Sequence, residues 1–213
     1  MKVLKFGGTS VANAENISKV IAILTTESKT QNIAVVVSAL GGVTDLLIKA
    51  GELATLKDEN YIKTFETIKQ RHLEAVQLLI PKTELKAVVI TLNSKLETLK
   101  NLLYGIYLIN EFSDKTKDKI LSFGERLSSY IISEALKQHI ENSALKDSRE
   151  LIITDAAHTK ANVNFKETNA RIADYLKASK AEVVILPGFV SQSAEGDTTT
   201  LGRGGSDYTA AII

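Results

Sequence analysis

The chain has 213 residues, 44% apolar and 24% charged, with 26 Lys and Arg against 25 Asp and Glu, and a mean hydropathy of +0.03. That length suits one sizeable α/β domain, or two small ones at most, and the near-balance of charge leaves no global footprint for nucleic acid or an anionic membrane. The absence of cysteine rules out disulfides, thiolate metal sites and cysteine nucleophiles, and no apolar run approaches the ~20 residues of a membrane-spanning helix.

Met1-Lys2-Val3-Leu4-Lys5 enters a strand pattern directly, without the apolar core and cleavage site of a signal peptide, so a cytoplasmic location is the default. Residues 3–6 form a strand broken by Gly7-Gly8, after which Thr9-Ser10 offers N-cap hydroxyls for a helix through 20–24. The β-branched run 33–37 reads as a buried parallel strand. It leads into Ser38-Ala39-Leu40-Gly41-Gly42, with Thr44 or Asp45 as cap of the next helix. Strand, glycine loop and helix, twice over, predict an α/β fold with a parallel sheet.

A helical pattern over 59–80 stops at Pro81, and a second runs from about 83 to 112, roughly 40 Å long at ~1.5 Å per residue. Leu85, Leu92, Leu99 and Ile106 recur every seven residues, as do Val89, Leu96 and Leu103. The pair reads as a helical hairpin whose leucine stripe serves core packing or a subunit interface rather than a ligand. Ser122-Phe123-Gly124-Glu125 is expected to open a helix to about residue 139, with buried strands at 151–154 and 183–186 and a helix at 168–178 between them. Pro187-Gly188 ends the last strand, a polar loop spans 191–205, and Ser206-Asp207-Tyr208-Thr209 starts a helix. The sequence stops at Ile213 inside that pattern without a C-cap, which reads as a truncated domain.

Three segments carry candidate chemistry. Paired glycines in Lys5-Phe6-Gly7-Gly8-Thr9-Ser10 let backbone approach a ligand and present N–H groups to an anion, with the Lys5 ammonium adding charge. This is neither G-x-x-x-x-G-K-[ST] nor G-x-G-x-x-G; a plain tight turn is the alternative. In Thr200-Leu201-Gly202-Arg203-Gly204-Gly205-Ser206-Asp207, three glycines surround an arginine suited to a bidentate grip on carboxylate or phosphate. Ser206 can equally be an N-cap and Asp207 a first-turn acid. Ser122-x-x-Glu125 fits a capping box, which local sequence favours over a role for Glu125 in holding a ligand's ammonium. His72, His139 and His158 lack metal-ligand spacing and read as surface or helix-end residues. No catalytic triad stands out.

Together these segments resemble the aspartokinases. Lys5-Phe6-Gly7-Gly8-Thr9-Ser10-Val11 is similar to the family's opening motif, residues 38–47 to its second loop, and Phe123-Gly124-Glu125-Arg126-Leu127-Ser128 to its glutamate-bearing segment. Residues 198–210, Thr-Thr-Thr-Leu-Gly-Arg-Gly-Gly-Ser-Asp-Tyr-Thr-Ala, resemble its most specific motif. Residues 3–15 look most like the kinase half of bifunctional aspartokinase–homoserine dehydrogenases. The resemblance implies an amino-acid-kinase fold, a mostly parallel sheet with helices on both faces, of which 1–213 would be the incomplete N-terminal part and about 59–112 a helical hairpin. It implies phosphorylation of the L-aspartate side-chain carboxylate by ATP, the first step towards lysine, threonine and methionine, by a homo-oligomer with no nucleic-acid or membrane partner. Lys5, Phe6, Gly7 and Gly8 would meet the ATP phosphates. Thr44, Glu125, Arg203, Gly204, Gly205 and Ser206 would hold aspartate, and Lys5, Arg203 and Asp207 would serve catalysis. Mg²⁺ would come with the nucleotide and need no protein cage. In such enzymes the adenine and ribose contacts and the regulatory ACT domains follow the last motif, so this stretch alone is expected to be weak or inactive. An acetylglutamate- or glutamate-type kinase, or a non-catalytic assembly module, remains the alternative.

Overall fold

A computed structural model describes residues 1–213. Its centre is a four-stranded parallel sheet of β1 (Lys2–Phe6), β2 (Ile33–Val37), β3 (Ser143–Leu145) and β5 (Val183–Pro187), in the order β1-β2-β5-β3. The β-branched run of β2 lies centrally and is buried along its whole length, as a strand covered on both faces must be. Side-chain alternation divides the core. Ile33, Val35, Val37, Val183 and Ile185 face the larger cluster, whereas Ala34, Val36, Val184 and Leu186 face the smaller. Helices α1 (Ala14–Glu27), α2 (Val43–Thr55), α3 (Asn60–Leu79), α4 (Lys82–Ile109) and α5 (Asp114–Leu136) contribute to the larger cluster. Ile172 of α6 (Phe165–Ala178), with Ala210 and Ile212 of α7 (Gly205–Ile212), packs on the other face.

The register places Phe6 beside Val37 and Val37 beside Pro187. Three connections, starting at Gly7, Ser38 and Gly188, therefore leave the carboxyl edge of the sheet side by side, the usual place for a ligand site in an open α/β sheet.

Pro81 is the N-cap of α4, so the two long helices are separated by Ile80 and Pro81 alone. Val88, Leu92, Leu96, Leu99, Leu103 and Ile106 are buried in the main core. The leucine stripe is core packing.

Several local expectations are corrected. α1 is capped by Asn13, whose side chain accepts from the Asn16 N–H, not by Thr9 or Ser10. Neither Thr44 nor Asp45 caps α2; Gly42, at φ +75°, precedes it. Residues 191–205 are not one polar loop: β6 (Val190–Ser193) and β7 (Thr198–Thr200) pair antiparallel, with β4 (Ile153–Thr154) parallel to β6, as a second sheet. Serine and threonine obscured these strands, although their side chains are largely buried and hydrogen-bonded to one another, as in Thr154–Thr199 and Ser191–Thr199. His72 is not at a surface or helix end. It is fully buried within α3, Nδ1 against the Ile68 carbonyl at 2.7 Å, and burial pushes it down to about 4. His158 is partly buried and pairs with Asp118.

Candidate functional site

A cleft of about 290 Å³ opens at the carboxyl edge of the parallel sheet. Lys5 enters it from β1, Ser38 from the end of β2, Thr44 from the first turn of α2 and Glu125 from α5. Phe189 and residues Gly202 to Asp207 close the other side. Thus Lys5, Thr44, Glu125, Arg203, Gly204, Gly205, Ser206 and Asp207, drawn from distant parts of the sequence, share one cavity. Phe6, Gly7 and Gly8 do not line it; they follow Lys5 out of β1, and Phe6 borders a neighbouring hollow with Thr9, Ser10 and Lys19.

Glu125 is not at a helix start. α5 begins at Asp114, where Ser113 caps by accepting from the Thr116 N–H, so Ser122 and Glu125 lie in mid-helix and cannot form a capping box. Ser122 instead donates to the Lys119 carbonyl. Freed from capping, the Glu125 side chain is buried and Oε2 has no hydrogen-bond partner. Burial raises its pKa from 4.5 to about 8, against the opposing pull of the Ala39 backbone N–H. Gly124 permits this placement: a Cβ there would stand 2.8 Å from that of Ala39, so α5 packs directly on the second glycine loop.

Across the cleft, Arg203 is exposed, flanked by Gly202 at φ +74° and Gly204 at φ +77°, and makes no hydrogen bond or ion pair. These left-handed turns, strained for any residue with a Cβ, hold Arg203 clear of neighbouring backbone. Gly204, not Ser206, precedes α7. Ser206 is buried against Gly188, whose Cβ would lie 2.6 Å from the serine oxygen. Lys5 Nζ pairs with Asp207 Oδ1 at 2.8 Å. At Gly7 a Cβ would stand 3.3 Å from Lys5 Nζ, so a side chain there would crowd the ammonium and the space beside it.

The cleft thus offers a buried carboxyl group with one unpartnered oxygen, an unpaired guanidinium and a lysine held at the rim. The first two complement the ammonium and carboxylate of an α-amino acid, and the third a further anion. No group of three or more His, Asp and Glu side chains is arranged to hold a metal ion, and no helix is long and apolar enough to cross a membrane. Sequence reasoning did not assign Ser38, Phe189 or Gly202 to the site. Ser38 was legible as the residue that follows β2; Phe189, at φ +67°, carries no local signal for so uncommon a conformation.

The amino acid kinase family model matches residues 1–213. The Arabidopsis thaliana chloroplastic bifunctional aspartokinase/homoserine dehydrogenase 1 is 27% identical over 99% of this chain and 23% of its own length. An aspartokinase of Chlamydia pneumoniae is 34% identical over 99% of this chain and 44% of its own. Among solved structures, E. coli aspartokinase III in complex with aspartate and ADP superimposes over the whole chain with a TM-score of 0.89 at 27% identity, 46% of that chain being covered. The aspartate kinase of Clostridium acetobutylicum gives 0.78 at 27%, with 44% covered. The chain spans less than half the length of each of these proteins.

Proposed function

The chain belongs to the amino acid kinase family, and from that premise we propose that it supplies the aspartate- and phosphate-binding part of an aspartate kinase, which transfers the γ-phosphoryl group of ATP to the side-chain carboxylate of L-aspartate. The observation that carries this reading is Glu125, a buried carboxylate with an unpartnered oxygen in the same cleft as the unpaired Arg203. In the proposed complex Glu125 accepts from the substrate ammonium, Arg203 forks onto its α-carboxylate, and Thr44 and Ser206 line the space between.

The nucleophile is the substrate's own side-chain carboxylate, ionised near pH 7 because its reference pKa is ~3.9, so no general base is required. A carboxylate oxygen bonds to the γ-phosphorus as the bond to the ADP oxygen breaks. What remains for the protein is alignment and neutralisation of phosphoryl charge. Lys5 serves the second role, with Asp207 holding its ammonium at the rim and Gly7 keeping the space beside it free of a side chain. Mg²⁺ would come with the nucleotide, held by its phosphates and water rather than by a protein cage. The solved relative bound to aspartate and ADP supports this choice of substrates.

Competitive binding tests the substrate. L-Aspartate should bind the purified protein and protect the Arg203 loop from proteolysis, whereas glutamate and N-acetylglutamate should not. Equal protection by N-acetylglutamate, whose amine is acylated and cannot pair with Glu125, would sink the assignment.

A further inference from the structure

Asp118 lies on α5 seven residues before Glu125, two helical turns away on the same face. It is fully buried, yet all the hydrogen bonds of its side chain run to other segments. Its carboxyl oxygens accept from the Thr159 N–H at 3.1 and 2.9 Å, from the Thr200 hydroxyl at 2.5 Å, and meet His158 Nδ1 at 2.9 Å. Thr200 ends β7, three residues before Arg203. Thr159 is held at φ +68°, its carbonyl 3.2 Å from where a Cβ on Gly202 would stand. The Ala161 N–H donates to the Thr200 carbonyl at 3.0 Å, which ties the two segments to each other as well.

Arg203 itself has no partner, and the glycines on either side carry no side chain that could anchor its loop. Its position must therefore come from the anchored ends of the loop. At the end nearer β7 the anchor is Asp118, directly through Thr200 and indirectly through Thr159 and Gly202. A buried carboxyl group must keep its hydrogen bonds, so displacement of either threonine is opposed. Because Asp118 and Glu125 ride on one rigid helix, this tether sets the guanidinium of Arg203 relative to the carboxylate of Glu125.

We propose that Asp118 is a positioning residue that fixes the spacing between Glu125 and Arg203, and through it the fit of the α-amino acid; this rests on the aspartate reading above. The Thr200–Asp118 bond can be removed with little change of shape by Thr200→Val and restored by Thr200→Ser, with Asp118→Asn as a second probe. L-Aspartate affinity is measured by calorimetry, and amide hydrogen exchange is followed at residues 202–205 and, as a control, at 7–10. Thr200→Val should raise the aspartate Kd at least about tenfold, the scale of one charge-assisted hydrogen bond, and speed exchange at 202–205 but not at 7–10. Thr200→Ser should reverse both effects. An unchanged Kd in Thr200→Val and Asp118→Asn, or exchange that rises equally in both loops, overturns the proposal. If the unaltered protein binds no aspartate, the substrate reading falls instead, and the exchange at 202–205 alone decides whether Asp118 holds the loop.

Discussion

Replacing Glu125 by glutamine keeps shape and hydrogen-bonding capacity but removes the charge that the site is proposed to use. Burial raises the carboxyl from 4.5 to about 8. At ~1.4 kcal/mol per pH unit, ionising it inside the folded protein costs up to about 5 kcal/mol. The folded state therefore holds this proton more tightly than the unfolded chain. The stability it contributes is complete below about pH 4.5 and is lost as pH rises to about 8. Other groups titrate alike in both proteins, so urea denaturation of wild type and Glu125→Gln at pH 5 to 8 should isolate this term, the variant losing less stability across the range. A bound ammonium reverses the balance by favouring the ionised form. Aspartate binding at pH 7 should then release close to one proton, and affinity should climb as pH rises towards 8. Glu125→Gln should abolish that proton release and weaken aspartate binding about ten- to hundredfold. Parallel pH slopes for the two proteins, or aspartate affinity independent of both pH and Glu125, would refute this account of the buried carboxylate.

Four further outcomes are expected. His72, held down to about 4 by burial, acts in the opposite sense: the unfolded chain takes up its proton first, so stability falls as pH drops from 6.5 towards 4, by up to about 3 kcal/mol. Denaturation of His72→Gln should show a flatter acid limb. Lys5→Ala should lower phosphoryl transfer at least about a hundredfold while aspartate binding, read by calorimetry, stays within a few-fold. Gly124→Ala drives a methyl group against Ala39 and should cost about 1–3 kcal/mol in thermal unfolding, despite alanine's better helix propensity. Leu99→Ala, at a fully buried position of α4, should cost about 2–5 kcal/mol, against almost nothing for exposed Leu108→Ala.

The sheet and long helices were legible because their signals are regional. The Val and Ile run of β2, the heptad leucines of α4 and the break at Pro81 each depend on many side chains acting alike. Helix starts were less legible, since a cap depends on which of several nearby polar residues the chain can turn at: Asn13 prevailed over Thr9 and Ser10, and glycines precede α2 and α7. The glutamate shows the limit best. Ser122-x-x-Glu125 has the spacing of a cap, and only the placement of the true start at Ser113, about two and a half turns earlier, turns Glu125 inward. The hairpin of β6 and β7 was hidden because its buried faces are built from hydroxyl side chains that satisfy one another, a pattern hydropathy reads as loop. Most motif residues converged on one cleft because they sit near the end of a strand, as Lys5 does, in the loop after one, as Arg203 does, or, like Glu125, on a helix packed against that edge.

The reaction proposed for this cleft is phosphorylation of aspartate on its side chain. The most direct measurement incubates the complete gene product with ATP, Mg²⁺ and L-aspartate and traps acyl phosphate with hydroxylamine. Aspartyl hydroxamate should form with aspartate, with little product from glutamate or N-acetylglutamate, and product should be lost in Lys5→Ala and Arg203→Ala. Product formed equally well from glutamate, or undiminished in both variants, would contradict it.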